Sequence, residues 1–304
     1  MLKLLFPAAV EEITRRAGEE REAAVLSGRA TASDVAAGLA LGKAVAAAVV
    51  ARAAGDGTRN AVGNAAQCKA LADSTAARGE TPWRSLELPA RPPMLPNFGL
   101  VRTWTMTAAE LDAARPPAPP STRSAEFREE LAEVKRTEAT LTRAQLAVAL
   151  KWNDGAGTPT PPGHWNQIAA ERVRDAHLSE VRAARAFALL NMAMHDAAVG
   201  CWEVKYRYFT PRPAQMDPSI KTSIGLPNFP AYPSGHSTFS AAAAGVLSYL
   251  FPADAPAFWA MADEAGVSRL YAAIHYRSDI TGGKAHGQRV GDAVVRYARA
   301  DRAD

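Results

Sequence analysis

Apolar residues recur at steps of three or four positions along much of the chain, whereas strand-like alternation is rare and alanine is abundant. This spacing places apolar side chains on one face of a helix, so it predicts helices rather than strands. The longest stripe, within residues 177–205, consists of Val181, Ala184, Phe187, Leu190, Met194, Ala198, Cys201, Trp202 and Lys205. A second stripe consists of Phe239, Ala243, Val246, Leu247 and Leu250. We therefore predict an all-α fold, a helical bundle.

The same pattern divides the chain into three parts. Residues 1–57 contain two helical segments that end at a glycine-rich stop. Residues 58–122 are irregular and rich in proline, which is typical of a linker. Trp83 and Trp104 favour instead an arm that packs over the bundle, or over a second subunit in a homodimer. Residues 123–304 are helical again, and we expect them to form the main bundle.

Composition and charge narrow the class of protein. The 304 residues are 48% hydrophobic, enough for one large or two modest domains. The net charge is +4, from 35 basic and 31 acidic residues, which is too small to predict a nucleic-acid partner. We find no apolar stretch of the roughly 20 residues that cross a bilayer, and no signal peptide, so we expect no membrane span. Cys68 and Cys201 could pair, which leaves a disulfide open.

One segment, residues 228–251, contains residues that favour a turn, followed by the predicted N-terminus of a helix. Pro233 favours an extended chain before it, Ser234 can cap the helix, and Gly235 allows the backbone to approach a ligand. The free N–H groups of a first helical turn form an anion site, to which His236 can add a proton donor. The alternative is a capped helix whose histidine merely faces solvent.

Two further segments supply cations, a second histidine and a carboxylate. Lys205 and Arg212 end the long helical stripe, and Arg269 precedes His275 and Asp279. Three fixed cations around a helix N-terminus suit a tetrahedral oxyanion such as phosphate or vanadate. His275 and Asp279 are four residues apart, so in a helix they share a face. In one continuous helix, Arg269 would lie about 120° from that face. Its long side chain must therefore extend around the helix to the same site, or the helix must bend.

The remaining histidines lack a second ligand at metal-binding spacing, and we interpret them as structural; they are His164, His177, His195 and His286. The sequence also lacks a His-Glu-x-x-His segment, a Cys-x-x-Cys pair and the glycine-rich loops that bind nucleotides and dinucleotides. These absences argue against zinc, nucleotide and dinucleotide chemistry.

The three segments together resemble a known superfamily. The order Lys-x6-Arg-Pro, Pro-Ser-Gly-His and Ser-Arg-x5-His-x3-Asp is similar to that of type 2 phosphatidic acid phosphatases (PAP2), bacterial acid phosphatases and vanadium-dependent haloperoxidases. The resemblance implies an all-α bundle with one oxyanion site. It implies that cations and backbone bind the oxyanion, at Lys205, Arg212, Ser234, Gly235 and Arg269. It also implies acid–base chemistry at His236 and covalent attachment at His275, which Asp279 orients.

The resemblance is compatible with two enzymes that use the same site. In a haloperoxidase, His275 would hold the vanadium of a vanadate cofactor, and halide would be oxidised by hydrogen peroxide with help from His236. In an acid phosphatase, His275 would attack a phosphomonoester to give a phosphohistidine, which His236 would help to hydrolyse. A non-catalytic oxyanion-binding protein is a third interpretation.

Smaller features favour the haloperoxidase. Trp202 and Phe229 resemble the residues that line the halide side in fungal chloroperoxidases, and Asp154 resembles the aspartate that partners an oxyanion-binding arginine there. Ser237 and its polar neighbours depart from that pattern and leave the halide open. Aromatic residues beside the pocket could equally hold an aryl phosphate.

The resemblance also bears on chain organisation and localisation. Soluble haloperoxidases contain two bundles related by duplication, of which one holds the site. Residues 5–7 repeat the Leu-Phe-Pro of residues 250–252, so we interpret 1–57 as part of a degenerate first bundle. A chance match in an alanine-rich chain is the alternative. The family favours a periplasmic or secreted location, although the chain shows no signal peptide.

Overall fold

The structure, a computed structural model, describes residues 1–301 and 303. The described residues form helices joined by turns and loops, with no β-strand among them, so the predicted all-α fold is confirmed. The chain divides into two compact units, Met1–Arg59 and Asn60–Asp304. The predicted site residues all lie in the second unit.

The first unit consists of α1 (Leu2–Leu5), α2 (Val10–Leu26) and α3 (Ala32–Ala54), with a 3-10 turn at Pro7–Ala9. Helix α3 begins at a capping box, in which Thr31 accepts from the Asp34 N–H and Asp34 accepts from the Thr31 N–H. The duplication that we inferred from this segment stays a prediction.

Helix α3 corrects one expectation from sequence. Ala32–Asn60 is long and apolar enough to cross a membrane, with a mean hydropathy of 1.7 and none of that stretch buried. Our estimate that no apolar stretch reaches this length was wrong, because few charges interrupt its run of alanine and valine. Core helices and N-terminal signal sequences meet the same test, so the finding alone assigns no span.

The second unit contains the remaining helices. They are α4 (Ala65–Ala77), α5 (Ala108–Ala113), α6 (Ala125–Ala139), α7 (Arg143–Lys151), α8 (Thr160–Asp175), α9 (Glu180–Tyr208), α10 (Pro213–Met216), α11 (Gly235–Leu250), α12 (Ala255–Tyr271) and α13 (Arg277–Ala300). Further 3-10 turns lie at Thr58–Asn60, Phe98–Leu100 and Pro252–Asp254. Helices α4 and α5 fall in the segment that we expected to be irregular. Each starts at a capping box, a helix signal that we did not recognise in a segment so rich in proline.

Helices α9, α11 and α13 form the centre of this unit, and α11 and α13 pack at very short range. A Cβ added at Gly283 would lie 2.6 Å from the Ser234 carbonyl oxygen, and one at Gly287 would lie 2.1 Å from that of Thr238. Glycines on α13 therefore let the α11 backbone approach. This contact fixes the start of α11 against the start of α13.

Replacing Gly287 with alanine should destabilise the second unit by about 3 kcal/mol, because the new methyl group would overlap a backbone oxygen that cannot rotate away. Urea unfolding followed by tryptophan fluorescence measures the change. Gly245→Ala is the matched control, since its Cβ would meet α13 only at 3.7 Å, an ordinary contact. The control should be neutral or slightly stabilising. Equal stabilities for the two variants would contradict the close packing.

Residues 81–106, within the second unit, contact the rest of that unit through their backbone. The Trp83 N–H donates to the Phe209 carbonyl at 2.8 Å, and the Met94 N–H donates to the Asn228 carbonyl at 3.0 Å. Buried Asp196 accepts from the N–H groups of Trp104 (2.6 Å) and Thr105 (2.8 Å). This segment, defined as residues 81–106, is called the arm below.

The cysteines are both free thiols. Cys68 is half-buried, and Cys201 is buried beside the Pro233 carbonyl, with a sulfur–oxygen distance of 3.9 Å. Burial raises the pKa of both thiols, so they are protonated near neutral pH.

His286 has the structural role that we expected. Its ring is fully buried on α13, Nδ1 donates to the Ala114 carbonyl at 2.9 Å, and Nε2 packs so closely on α9 that a Cβ at Gly200 would lie 2.2 Å away. Burial lowers the pKa of His286, so the ring is neutral in the folded chain.

Replacing His286 with asparagine should change how stability depends on pH. The folded-state pKa lies below the unfolded value near 6.5, so the neutral ring contributes stability above that pH that is lost as the pH falls. Between about pH 7.5 and about pH 5.5, the parent should lose about 1 kcal/mol more unfolding free energy than the variant. Urea titrations at the two pH values measure this difference. Equal losses of unfolding free energy in the parent and the variant would contradict the neutral state assigned to His286.

Candidate active site

The Ser234–His236 turn begins α11 as predicted. Ser234 caps the helix by accepting from the Ser237 N–H, at 3.4 Å. The Ser234 N–H itself donates to the Asp279 carbonyl at 2.8 Å, so it is not available to a ligand. The first-turn N–H groups that a ligand can use are therefore those of Gly235 and His236.

Lys205 lies in the last turn of α9 and is fully buried. Its ammonium donates to the carbonyls of Pro230 and Ala231 at 2.9 Å and of Pro233 at 2.5 Å. An ammonium has three protons, so all are used and none is left for an oxyanion in this arrangement. This differs from the predicted ligand role: Lys205 fixes the loop before α11 and adds positive charge. Burial lowers its pKa to about 7.

Arg212 is buried between the loop and the α12–α13 turn. Its Nε donates to the Phe229 carbonyl at 3.0 Å, and Nη1 donates to the Ile274 carbonyl and to His275 Nε2, both at 2.9 Å. Its Nη2 is buried without a hydrogen-bond partner among the described residues. A buried, unpaired guanidinium nitrogen is costly unless a ligand accepts from it. Arg212 therefore provides an unused donor to the site.

Arg269 occupies the C-terminal end of α12, with 1% of its surface exposed. Its Nε donates to Ser268 Oγ at 2.8 Å, and Nη2 donates to the carbonyls of Ala149 (3.2 Å) and Trp152 (2.6 Å). Within the described residues, Nη1 has no hydrogen bond. Burial lowers the pKa of Arg212 and of Arg269 to about 10, so both remain charged at neutral pH.

His275 and Asp279 contact each other, but not within one helix as we expected. Helix α12 ends at Tyr271 and α13 begins at Arg277, so His275 lies in the turn between them. The turn also removes the need for Arg269 to share a helical face with His275. Asp279 reaches back from the first turn of α13, where its Oδ2 contacts His275 Nδ1 at 2.8 Å and accepts from the Tyr276 N–H at 3.0 Å.

These contacts fix the tautomer of His275. A guanidinium only donates, so His275 Nε2 accepts from Arg212, and the ring proton must lie on Nδ1, facing Asp279. Burial, reinforced by the charges of Arg212, Lys205 and Arg269, lowers the pKa of His275 well below its usual value. Nε2 therefore carries no proton, and a bond to phosphorus or vanadium would take the place of its hydrogen bond from Arg212 Nη1.

The Asp279 carboxyl is itself strongly perturbed. Burial raises its pKa to about 7, against the opposing effects of the Tyr276 N–H and the charges of Lys205 and Arg212. Its second oxygen, Oδ1, is buried without a hydrogen-bond partner among the described residues.

His236 lies in the first turn of α11, with 16% of its side chain exposed. Its Nε2 is buried without a hydrogen-bond partner among the described residues, and the nearest carboxylate oxygen, Asp154 Oδ2, lies 3.8 Å away. Burial and the charge of Arg269 lower the pKa of His236 well below its usual value. The ring is therefore neutral, although a hydrogen bond with the Trp152 backbone favours its protonated form, and a bound anion would favour protonation further.

Asp154 and His164 form a pair beside His236 that the sequence did not predict. Asp154 makes no ion pair with an arginine among the described residues; both of its oxygens lie 3.1 Å from His164 Nδ1. Asp154 affects Arg269 only at longer range, through its charge. His164, which we interpreted as structural, stacks on Trp152 at 4.4 Å between ring centroids. The one sequence signal was a histidine ten residues from an aspartate, across a turn.

Trp202 and Phe229 form an aromatic wall beside the cations, with 5.2 Å between ring centroids. The centroid of Phe229 lies 5.0 Å from the Lys205 ammonium and 5.1 Å from the Arg212 guanidinium carbon. The Met94 carbonyl, on the arm, accepts from Trp202 Nε1 at 3.3 Å and from the Tyr206 hydroxyl. The arm thus orients one side of the wall.

The fold and the site define an all-α protein with a buried, cationic oxyanion site that includes two neutral histidines, His236 and His275. Such a set suits a tetrahedral oxyanion, because donors of Arg212, Arg269, Gly235 and His236 are free, while Nε2 of His275 carries no proton and accepts from Arg212. Vanadate fits this donor set as well as phosphate does.

Comparison with known proteins agrees with this class. Residues 185–302 match the sequence model of the PAP2 superfamily, and this range contains all three motifs. The chain therefore carries a PAP2 superfamily domain, and the resemblance inferred from the motifs is confirmed.

Individual relatives are vanadium haloperoxidases. Vanadium chloroperoxidase of Curvularia inaequalis is 32% identical over 32% of this chain and 21% of that protein. The first bacterial vanadium-dependent iodoperoxidase has a TM-score of 0.65 and 29% identity, over 72% of this chain and 60% of its own. A holo-type bacterial vanadium-dependent chloroperoxidase shares the fold, with a TM-score of 0.55 and 12% identity over 68% of this chain and 55% of its own. The chain thus spans about a fifth of the curated relative it matches.

Proposed function

We propose that the chain is a vanadium-dependent haloperoxidase that oxidises halide with hydrogen peroxide. The observation that carries this proposal is the tautomer of His275, whose Nε2 carries no proton and lies beside Arg212, the residue whose Nη2 has no hydrogen-bond partner among the described residues. The names of the two most informative relatives, an iodoperoxidase and a chloroperoxidase, support it. The aromatic wall of Trp202 and Phe229 is suited to a polarisable halide.

Each residue of the site would have a definite task. His275 Nε2 would bind the vanadium, and Asp279 would keep the ring proton on Nδ1. Arg212 Nη2, Arg269 Nη1 and the first-turn N–H groups would bind the oxygens. When bound, vanadate would supply a Lewis acid that activates peroxide toward halide. His236 would move the protons that this reaction requires.

Phosphatase activity is the second candidate, because the superfamily domain and its donor set accommodate phosphate equally well. In that reaction His275 Nε2 would attack phosphorus in line and His236 would protonate the leaving oxygen. The buried arginines would stabilise the charge that develops on the equatorial oxygens.

A paired assay on one metal-stripped preparation separates the two. One half receives orthovanadate, hydrogen peroxide and iodide, bromide or chloride, with a dye that traps oxidised halogen. The other half receives p-nitrophenyl phosphate without vanadium. Vanadate-dependent dye halogenation supports the haloperoxidase, whereas rapid phosphate hydrolysis inhibited by vanadate, without halogenation, overturns it in favour of the phosphatase.

A further inference from the structure

The first observation concerns one atom of His236, Nε2, which is buried although 16% of the side chain is exposed. No described residue forms a hydrogen bond with this nitrogen. A histidine that gives a proton in each turnover must regain one, and a buried nitrogen regains it through a neighbouring group. The nearest titratable oxygen is Asp154 Oδ2, at 3.8 Å.

The second observation is that Asp154 is held by a residue nearer to solvent. His164 Nδ1 lies 3.1 Å from both oxygens of Asp154, and a carboxylate only accepts, so the ring proton lies on Nδ1. The side chain of His164 is 22% exposed, against 11% for Asp154. His236, at 16%, lies between these two values, so His164 is the most exposed of the three groups, and Asp154 contacts both histidines.

The surrounding elements keep this arrangement in place. Trp152, at the end of α7, stacks on the His164 ring with 24° between the planes, and its carbonyl accepts from Arg269. The charges of Arg269, His164 and Arg212 all oppose protonation of His236, whereas a hydrogen bond with the Trp152 backbone favours it. A nearby carboxylate favours the protonated ring, and among the described residues Asp154 lies within ion-pair distance of it.

We propose that His164 and Asp154 deliver protons from solvent to His236, with His164 also fixing the carboxylate in place. This inference rests on the proposed function, because it assigns the proton source of the same site. A solvent proton binds His164 Nε2, the Nδ1 proton passes to Asp154, and Asp154 passes a proton to His236 Nε2. No electron pair leaves these residues, and His164 returns to its first tautomer by exchange with solvent. The 3.8 Å step closes by side-chain movement or through one water.

Two substitutions at His164 separate a role in proton delivery from a role in positioning the Asp154 carboxylate. His164→Gln keeps an N–H donor toward Asp154 but cannot carry a proton through the ring. His164→Phe keeps a ring to stack on Trp152 but loses the donor. The control is His195→Gln, because His195 has a similar exposure (25% of its side chain) and also contacts an aspartate, Asp196, outside the site.

For His164→Gln, we expect about a tenfold lower kcat at low buffer concentration, an unchanged KM, and recovery as imidazole is added. We expect vanadate to bind within about threefold of the parent, measured separately by equilibrium dialysis. Parent-like kcat without dependence on buffer would overturn the delivery role. The control should match the parent throughout.

A second readout does not require turnover. In protein labelled with ¹³C at the histidine rings, the His236 signal, assigned with His236→Gln, gives its titration midpoint by NMR. We expect the midpoint to fall in His164→Phe, because Asp154 is released, and to stay near the parent value in His164→Gln. An unchanged midpoint in His164→Phe would overturn the positioning role. If the parent catalyses neither reaction, the proposed function fails while this measurement still decides the role of His164.

Discussion

Replacing His275 with alanine should lower turnover at least about 1,000-fold and remove vanadate binding, whichever of the two reactions the enzyme catalyses. The reason is that Nε2 of this ring is the atom that would bond to the reacting centre, and Asp279 keeps the ring proton on Nδ1. Removing a group that bonds to the reacting centre has effects of this size in other enzymes. Steady-state kinetics and vanadate dialysis measure the two losses.

The controls for this prediction separate chemistry from folding. His275→Gly opens a space that added imidazole can enter, so partial recovery of activity with imidazole would exclude a merely structural role. His177→Asn should behave like the parent, because His177 is exposed and asparagine tolerates its positive φ of 48°. Turnover in His275→Ala within tenfold of the parent would contradict the site assignment.

Replacing Arg212 with lysine should weaken oxyanion binding about 100-fold. The guanidinium uses Nε and Nη1 on the protein and keeps Nη2 for a ligand, whereas an ammonium cannot reach all these positions at once. A lost charge-assisted hydrogen bond costs about 1.5–3 kcal/mol, and disturbing the Nη1 contact with His275 adds to this. Each 1.4 kcal/mol is a factor of ten in affinity.

Phosphate and vanadate affinities of the metal-stripped protein, from calorimetry or dialysis, test this expectation without any turnover. Arg277→Lys is the control, since Arg277 is 44% exposed and pairs with Glu133 away from the site. Thermal melts identify variants that fail to fold. An Arg212→Lys affinity within threefold of the parent would show that Nη2 does not contact the oxyanion.

The all-α class and the three motifs could be predicted because they depend on local spacing. Helix α11, its cap at Ser234 and the contact of His275 with Asp279 follow from residues a few positions apart. The structure adds that this contact crosses a turn rather than following one helix. Four-residue spacing satisfies both geometries, so the sequence does not distinguish them.

Other parts of the site depend on contacts between distant segments. The three carbonyls that occupy Lys205 and the two that hold Arg269 carry no side-chain signal. The pairing of Asp154 with His164 depends on how the turn before α8 folds back. His164, like His286, lacks a second ligand at metal-binding spacing, so the sequence predicted a structural role for both and carried no signal for the contact with Asp154.

The main chain and the side chain of Asp279 form hydrogen bonds with different parts of the site. Its main-chain oxygen holds the Ser234 N–H, while its carboxylate holds His275. A main-chain contact thus sets the position of the Pro-Ser-Gly-His motif relative to the start of α13. This contact would remain with any side chain at position 279. His275 and Asp279 could consequently be exchanged as a pair, to install a different metal ligand and its orienting partner, without displacing the anion-binding turn at the start of α11.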